Sequence, residues 1–230
     1  MKGIFGYEGR FFSVMDKVGS LFWLNLLTLV CCIPVVTIGA SITACYYVTL
    51  KMVRNEEGYL TKSFFKSFRQ NFRQSTIIWL ITLVFGVIFF LDYRMLTLRE
   101  TDGSSTVPYA NVLFVGICVI AIVFVMISIY VYPVLAKFDN STKNTVKNAL
   151  FMSILNFPKT LLLFVINMIF PGLFILSVVT GKALWIIPVV MCFGLSAGAY
   201  FCSMLFTGIF DKYIRPEIPD TGDPDDRGAD

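Results

Sequence analysis

The sequence LTKSFFKSFRQNFRQS, residues 60–75, runs directly into the apolar stretch 76–91, and this combination indicates the type of fold. Wound as a helix at about 100° per residue, it places its phenylalanines in one sector and its cations in the neighbouring sector. The aromatic residues are Phe64, Phe65, Phe68 and Phe72, and the basic residues are Lys62, Lys66, Arg69 and Arg73. Adjacent aromatic and basic faces are typical of a helix at a membrane interface, with rings in the acyl boundary and cations among anionic headgroups. The pattern therefore predicts a basic amphipathic interfacial helix over residues 60–75.

The composition of the whole chain is that of a membrane protein. Of its 230 residues, 57% are hydrophobic and 15% are charged, and the mean hydropathy is +0.75. A soluble domain carries about 25% charged residues, and long uncharged apolar runs indicate membrane spans. The sequence predicts an all-α, polytopic helical membrane protein.

Residue types that commonly catalyse reactions or bind metals are scarce. The chain has no histidine, which removes the commonest metal ligand and the commonest general base at neutral pH. Its cysteines all lie in apolar runs without CxxC spacing, which argues against zinc sites and disulfide frameworks. Phosphate-binding glycine loops, nucleophile motifs and paired catalytic carboxylates are also missing. We expect no enzymatic activity, no catalytic residue, no cofactor and no metal site.

The apolar runs predict six transmembrane helices within a membrane domain of residues 1–210. The predicted spans cover approximately residues 18–35, 38–53, 76–96, 109–136, 160–180 and 183–207. Residues 18–53 could instead make a single crossing, because the two separate spans, 18–35 and 38–53, would each be close to the minimum length of about 17 residues. Residues 1–17 are expected to form a short interfacial helix. The acidic, proline-rich residues 211–230 are expected to be a disordered tail.

The distribution of basic residues favours six spans over five. With six, sixteen of the nineteen Lys and Arg residues lie on one side, and only Arg94, Arg99 and Lys182 lie on the other. With five, the division falls to thirteen against six. Because cytoplasmic loops hold the excess of basic residues, we predict six spans with both termini in the cytoplasm.

A weak internal repeat agrees with this arrangement. Tyr46 and Tyr132 each lie five residues before a lysine, and Asn71 and Asn156 are each followed by phenylalanine at the start of an apolar run. The two offsets are 86 and 85 residues. A module of helix, basic helix and helix would then occur twice, although chance matches are an alternative in a chain with 23 phenylalanines. Internal repeats are common in transporters but are not diagnostic of transport.

Polar side chains inside the predicted spans are few. Asn25 and Asn167 are candidates either for hydrogen bonds between helices or for contact with a substrate. Pro34, Pro133 and Pro171 interrupt or kink helices, and transporters often place binding sites at such breaks. The pair Gly194-x-x-x-Gly198 is interpreted first as a helix-packing face.

Residues 21–80 carry motifs that resemble a known family. The matching features are Asn25-Leu26-Leu27, Pro34-x-x-Thr37-x-Gly39-Ala40, Tyr46-Tyr47, Lys51 through Gly58, and Arg69-Gln70-Asn71-Phe72 leading to Trp79. Together they resemble the YesL-like family of bacterial integral membrane proteins, which is grouped under a domain of unknown function. The later spans resemble that family only in hydropathy and length.

The resemblance implies a location in the bacterial cell membrane and supplies no catalytic residues. Members of the family tend to be encoded beside carbohydrate ABC transporters, which suggests an accessory or regulatory role in carbohydrate ABC uptake. The expected partners of the basic helix are anionic lipid headgroups and sugar ABC permease subunits. Nucleic acid is not expected, because the cations lie against the membrane. Two alternatives stay open: autonomous transport of a small neutral solute, and a membrane sensor.

Overall fold

The computed structural model describes residues 10–56, 58–101, 110–181 and 185–214 of the chain. Within these ranges the backbone is almost entirely helical, and no β-strand occurs. The elements are α1 (Arg10–Cys32), a 3-10 turn (Val35–Thr37), α2 (Ile38–Val53), α3 (Leu60–Thr101), α4 (Ala110–Lys137), α5 (Thr142–Leu155), α6 (Phe157–Thr180) and α7 (Ile186–Ile214). The predicted all-α class is confirmed.

Six of the described helices are long and apolar enough to cross a membrane. The candidate spans are Val14–Cys32, Val35–Val53, Leu60–Met95, Val115–Lys137, Phe157–Thr180 and Ile187–Ile214. Helix α5, with 14 residues, is too short to cross. The chain is therefore a multi-pass membrane protein, and the number of candidate spans agrees with the prediction.

Helix α3 joins two segments that we predicted as separate helices. It is one helix of 42 residues, whereas an interfacial helix over 60–75 and a span over 76–96 were expected. Residues 60–85 contain neither proline nor glycine, so nothing interrupts the backbone hydrogen bonds where the two segments meet. At about 1.5 Å per residue, α3 is roughly 60 Å long, about twice the thickness of the hydrocarbon core.

Both ends of the described chain are more helical than predicted. Residues 10–17 continue directly into the first span instead of forming a separate helix. Helix α7 passes the predicted boundary at residue 210, because Asp211 forms a salt bridge with Arg54 and Tyr213 Oη accepts a hydrogen bond from Asn156 Nδ2 at 3.3 Å. The remainder of the predicted tail, 215–230, lies outside the described residues, as do residues 1–9.

Helix α2 lies at the centre of the bundle, where it packs against α1, α3, α4 and α7. In its candidate span 61% of the most apolar stretch is buried, against 11% to 39% in the other five. The contact with α3 is very close at Gly39: a Cβ atom there would lie 2.5 Å from the backbone oxygen of Ser75 and 2.7 Å from Cβ of Trp79. Only glycine fits at this position without moving α3.

Two short turns set the antiparallel arrangement of α1, α2 and α3. After Pro34, the hydroxyl of Thr37 donates to the carbonyl oxygen of Cys31 at 2.6 Å and so satisfies the end of α1. Between α2 and α3, Asn55 adopts a left-handed conformation with φ 54°, which asparagine tolerates well. Its Oδ1 accepts a hydrogen bond from Lys17 Nζ at 2.9 Å. The predicted break between the spans 18–35 and 38–53 is confirmed, with α2 beginning at residue 38.

The contacts between helices follow the predicted repeat. Tyr46 of α2 contacts Asn167 of α6, and Tyr132 of α4 contacts Thr82 of α3. The tyrosines are 86 residues apart and their partners are 85 residues apart, so each contact is the counterpart of the other. This reciprocity supports a duplicated module, with α5 in the place of the first half of α3.

Candidate functional site

The first half of α3 carries a row of exposed cations, which we call the basic face. It consists of Lys62, Lys66, Arg69 and Arg73, and all four side chains are exposed. None of the four forms an ion pair with any residue in the described part of the chain. Arg54, by contrast, is paired with Asp211. The basic face therefore presents four charges whose counter-charge is not supplied by the described residues.

The phenylalanines of the same segment divide between the protein core and the exterior. Phe64 is fully buried and Phe68 packs against the core, whereas Phe65 and Phe72 are 42% and 39% exposed. Neighbouring rings contact one another, with centroids 5.6 Å apart for Phe64 and Phe65 and for Phe68 and Phe72. The expectation that the rings lie in the acyl boundary needs correction for Phe64, because this ring is fully buried in the hydrophobic core between the helices. This anchoring fixes the direction in which the basic face points.

Helix α5 is a second basic element with the same division into two faces. Lys143 and Lys147 are exposed, and Lys147 Nζ lies 5.9 Å from the ring centre of Phe151. Exposed apolar side chains follow at Phe151, Ile154 and Leu155. The opposite face is buried at Thr145, Ala149, Met152 and Ser153. The sequence predicts α5 only through the internal repeat, because α5 has too few apolar residues to form a span.

Hydrogen bonds hold the basic face against its neighbours. Gln70 Nε2 donates to Asp139 Oδ1 at 3.1 Å and so connects α3 to the loop between α4 and α5. Trp23 Nε1 of α1 donates to the hydroxyl of Thr61 at 3.2 Å. These two bonds fix the first half of α3, which carries the basic face, to α1 and to the loop between α4 and α5.

Asn25 is a cross-link between α1 and α7. Its Nδ2 donates to the carbonyl oxygen of Met191 at 2.7 Å, and its Oδ1 accepts from the backbone N–H groups of Leu195 and Ser196, both at 3.1 Å. In a regular helix the N–H of Leu195 bonds to the carbonyl of Met191, so the amide of Asn25 binds both groups of one turn of α7. Of the two roles considered for Asn25, the structure shows the hydrogen bond between helices.

Asn167 also joins helices, at the edge of a cavity. Its Nδ2 donates to the carbonyl oxygen of Leu163 at 2.8 Å and to Cys202 Sγ of α7 at 3.3 Å. The phenol of Tyr46 lies against the same two side chains, Asn167 and Cys202. Pro171 lies four residues after Asn167 and has no backbone N–H to donate to the backbone carbonyl of Asn167. Asn167 therefore stands at a polar point in an otherwise apolar region.

The cavity has a volume of about 530 Å³ and lies among α1, α2, α6 and α7. The described residues that line it are Thr28, Leu29, Ile42, Cys45, Tyr46, Ile166, Asn167, Phe170, Pro171, Phe174, Ile175, Val190, Met191, Gly194, Leu195, Gly198 and Ala199. Of the three prolines considered for a binding site, Pro171 is in this lining and Pro34 and Pro133 are not. Gly194 and Gly198 receive the ring of Phe170, as the predicted packing face requires.

Comparison with known proteins gives one partial match. The model of the family described as "Protein of unknown function, DUF624" matches residues 21–93, which comprise most of α1, all of α2 and most of α3. No curated protein and no solved structure matches the chain. Over the helices that contain Asn25, Gly39 and the basic face, the chain is therefore similar to an uncharacterised family of unknown function.

Proposed function

We propose that the protein is a non-catalytic accessory or regulatory subunit of a carbohydrate ABC importer, and that it docks on the permease through the basic face. One observation carries the proposal: Lys62, Lys66, Arg69 and Arg73 are exposed and have no ion-pair partner among the described residues. Phe64 anchors the same helix in the core, so the row is held in one orientation. A fixed row of cations favours a complementary acidic surface.

The link to carbohydrate uptake depends on the family resemblance. The YesL-like motifs of residues 21–80 lie within the stretch 21–93 that matches the uncharacterised family. In this proposal the protein resides in the bacterial cell membrane with both termini in the cytoplasm, and the basic face lies on the cytoplasmic side. Near an anionic surface each cation contributes about 1 kcal/mol, so lipid headgroups can assist the docking.

The test is a charge reversal of the basic face in the native host. Tagged protein carrying Lys62→Glu, Lys66→Glu, Arg69→Glu and Arg73→Glu is recovered in mild detergent from cells grown on a polysaccharide, and its partners are identified by mass spectrometry. We expect the unaltered protein to recover carbohydrate permease subunits and the reversed variant to lose them.

Two controls accompany this test. A charge-preserving variant, Lys62→Arg, Lys66→Arg, Arg69→Lys and Arg73→Lys, should retain the partner. Cysteine accessibility on both sides of the membrane should show that the reversal has not inverted the topology, because basic residues also set orientation. Unchanged recovery with the reversed variant would reduce the basic face to a topology signal. Recovery of a cytoplasmic regulator instead would favour the sensor.

Autonomous transport of a small neutral solute is the second candidate. The cavity beside Pro171 favours it, since transporters place binding sites at interrupted helices. Purified protein in sealed vesicles distinguishes the two functions: an accessory subunit alone should give no flux of labelled neutral solutes. Flux from the purified protein would displace the docking proposal as the primary function.

A further inference from the structure

We propose that the cavity among α1, α2, α6 and α7 is a binding site for an uncharged amphiphile, with one aliphatic chain and one hydrogen-bonding head group. This site is separate from the basic face and does not depend on docking to a permease. Its volume of about 530 Å³ falls within the range of small-molecule sites.

The side chains at the cavity indicate that the ligand arrives from the bilayer. Ile175, Met191 and Leu195 line the cavity and are also 60%, 49% and 45% exposed. In a span, exposed apolar side chains face lipid acyl chains, so a molecule that reaches the cavity past these residues comes from the hydrocarbon. Most of the remaining wall is aliphatic or aromatic, as an aliphatic chain requires.

The polar groups of the cavity lie together and provide a place for the head group. Tyr46 and Asn167 both line it, and Cys202 contacts both of them. The backbone carbonyl of Asn167 accepts no hydrogen bond from residue 171, because that residue is proline. The Asn167 amide N–H groups are already bonded, so the capacity left on this wall is that of acceptors, which suits a hydroxyl that donates.

The charge of the cavity excludes an ionised head group. None of the described lining residues carries a charge. An ionised group placed in this wall would lose its hydration without gaining a counter-ion, which is unfavourable at membrane depth. The head group that fits is neutral, and this distinguishes the ligand from phospholipids of the surrounding bilayer.

Specific contacts keep the space open. Asn25 holds α1 to α7 at Met191 and Leu195, both in the lining. On the other side, the ring of Phe170 rests on Gly194 and Gly198, where added Cβ atoms would meet it at 3.7 Å and 3.4 Å. These contacts fix the positions of α1 and α6 relative to α7 around the cavity.

The experiment uses the full chain in phospholipid nanodiscs and a photoreactive hexadecanol with a diazirine in its chain. We expect saturable labelling of α6 and α7 residues that line the cavity. Unlabelled hexadecanol should compete, and palmitate should compete at least about tenfold less well. Labelling spread over all exposed apolar surfaces without saturation would overturn the proposal, and equal competition by palmitate would overturn the neutral head group.

Substitutions locate the site. Ile42→Phe fills the cavity and should abolish saturable labelling, whereas Ile81→Phe, the same change on the exposed surface of α3, should leave it intact. Leu29→Phe removes the same space from α1 and serves as the second variant if thermal unfolding shows that Ile42→Phe is misfolded. Retained labelling in a folded cavity-filling variant would place the ligand elsewhere.

A further pair tests the head group. Asn167→Leu should weaken hexadecanol binding by about three- to tenfold, the loss of one hydrogen bond, and leave a photoreactive hexadecane unaffected. Thr82→Leu is the matched control, because Thr82 is the repeat counterpart of Asn167 but does not line the cavity. An equal effect of Asn167→Leu on both probes would show that the amide does not contact the head.

Discussion

The two copies of the repeated module differ at the joint between the basic segment and the span that follows it. In the first copy Asn71-Phe72-Arg73 lies inside the continuous helix α3, whereas in the second Asn156-Phe157-Pro158 separates α5 from α6. Asn156 leaves the helical conformation with φ −114° and ψ 39°. Proline lacks the backbone N–H and collides with the carbonyl four residues earlier, which disfavours a continuous helix at Pro158, although α4 and α6 do continue through Pro133 and Pro171. Pro158 at the start of α6, together with the non-helical Asn156, therefore marks the joint that the first copy lacks.

The two copies also differ in how closely their helices approach. Gly39 brings α2 against the backbone of α3, and the residue 86 positions later in α4 is Val125. Accordingly the candidate span of α2 is 61% buried in its most apolar stretch and that of α4 only 17%. The difference shows that α2, the first helix of the first copy, lies at the centre of the fold. Helix α2 also lies within the stretch that matches the uncharacterised family.

The largest effect on stability is expected when proline, which lies at the joint of the second copy, is introduced at the corresponding position of the first copy. Arg73→Pro should break α3 between the basic face and its apolar half and cost about 3 kcal/mol or more. Thermal unfolding in detergent measures the loss, with Arg73→Ala as the control that removes the charge alone. An Arg73→Pro protein as stable as Arg73→Ala would show that α3 is already discontinuous.

The converse change should straighten the second copy. Pro158→Arg should let α5 and α6 merge into one helix. Spin labels at Lys143 and Leu162, both exposed, should then move apart toward the roughly 28 Å of 19 residues in a straight helix. An unchanged distance by pulsed electron resonance would mean that packing, and not Pro158, maintains the joint.

A change at the close contact should have the next largest effect. Gly39→Val should destabilise the protein by about 1 to 3 kcal/mol, because the new side chain would overlap the backbone of Ser75. Gly116→Val in α4 is the matched control, since nothing lies within 4 Å of a Cβ there. Equal melting temperatures for the two variants would contradict the close packing of α2 on α3.

The smallest expected effect is the difference in stability between phenylalanine substitutions at Tyr46 and at Tyr132. Tyr46→Phe should cost about 1 kcal/mol, because its hydroxyl interacts with Asn167 and Cys202. Tyr132→Phe should cost less, because the buried Tyr132 Oη lies near Thr82 but makes no hydrogen bond of normal geometry with the described residues. Unfolding curves for the pair check this order, and a larger loss at Tyr132 would reverse it.

Much of the fold could be predicted because it depends on local composition. Long apolar runs identify spans without tertiary information, and six of the described helices correspond to the predicted six. The exposure of Lys62, Lys66, Arg69 and Arg73 follows from the helical period alone. The direction of Phe64 does not, since an aromatic stripe fits either lipid or a protein core until the neighbour, α2, is known.

The cavity could not be predicted, because its walls consist of residues that are ordinary in any span. The sequence singles out Tyr46, Asn167, Pro171, Gly194 and Gly198 among the lining residues, but none of them identifies its neighbours. The cross-link of Asn25 to α7 joins residues about 170 positions apart, which one sequence does not reveal. The continuity of α3 could not be predicted for another reason: a change from basic to apolar residues resembles a helix boundary, although no residue there breaks a helix.

The most direct test of the account is photocrosslinking from the basic face in living cells of the native host. Arg69→p-benzoyl-phenylalanine places the reactive group on the basic face, and Val84→p-benzoyl-phenylalanine places it on the exposed apolar half of the same helix. We predict a covalent adduct with a carbohydrate permease subunit from position 69 during growth on polysaccharide, and no such adduct from position 84. Lipid adducts alone from position 69, or the same protein adducts from both positions, would contradict docking through the basic face.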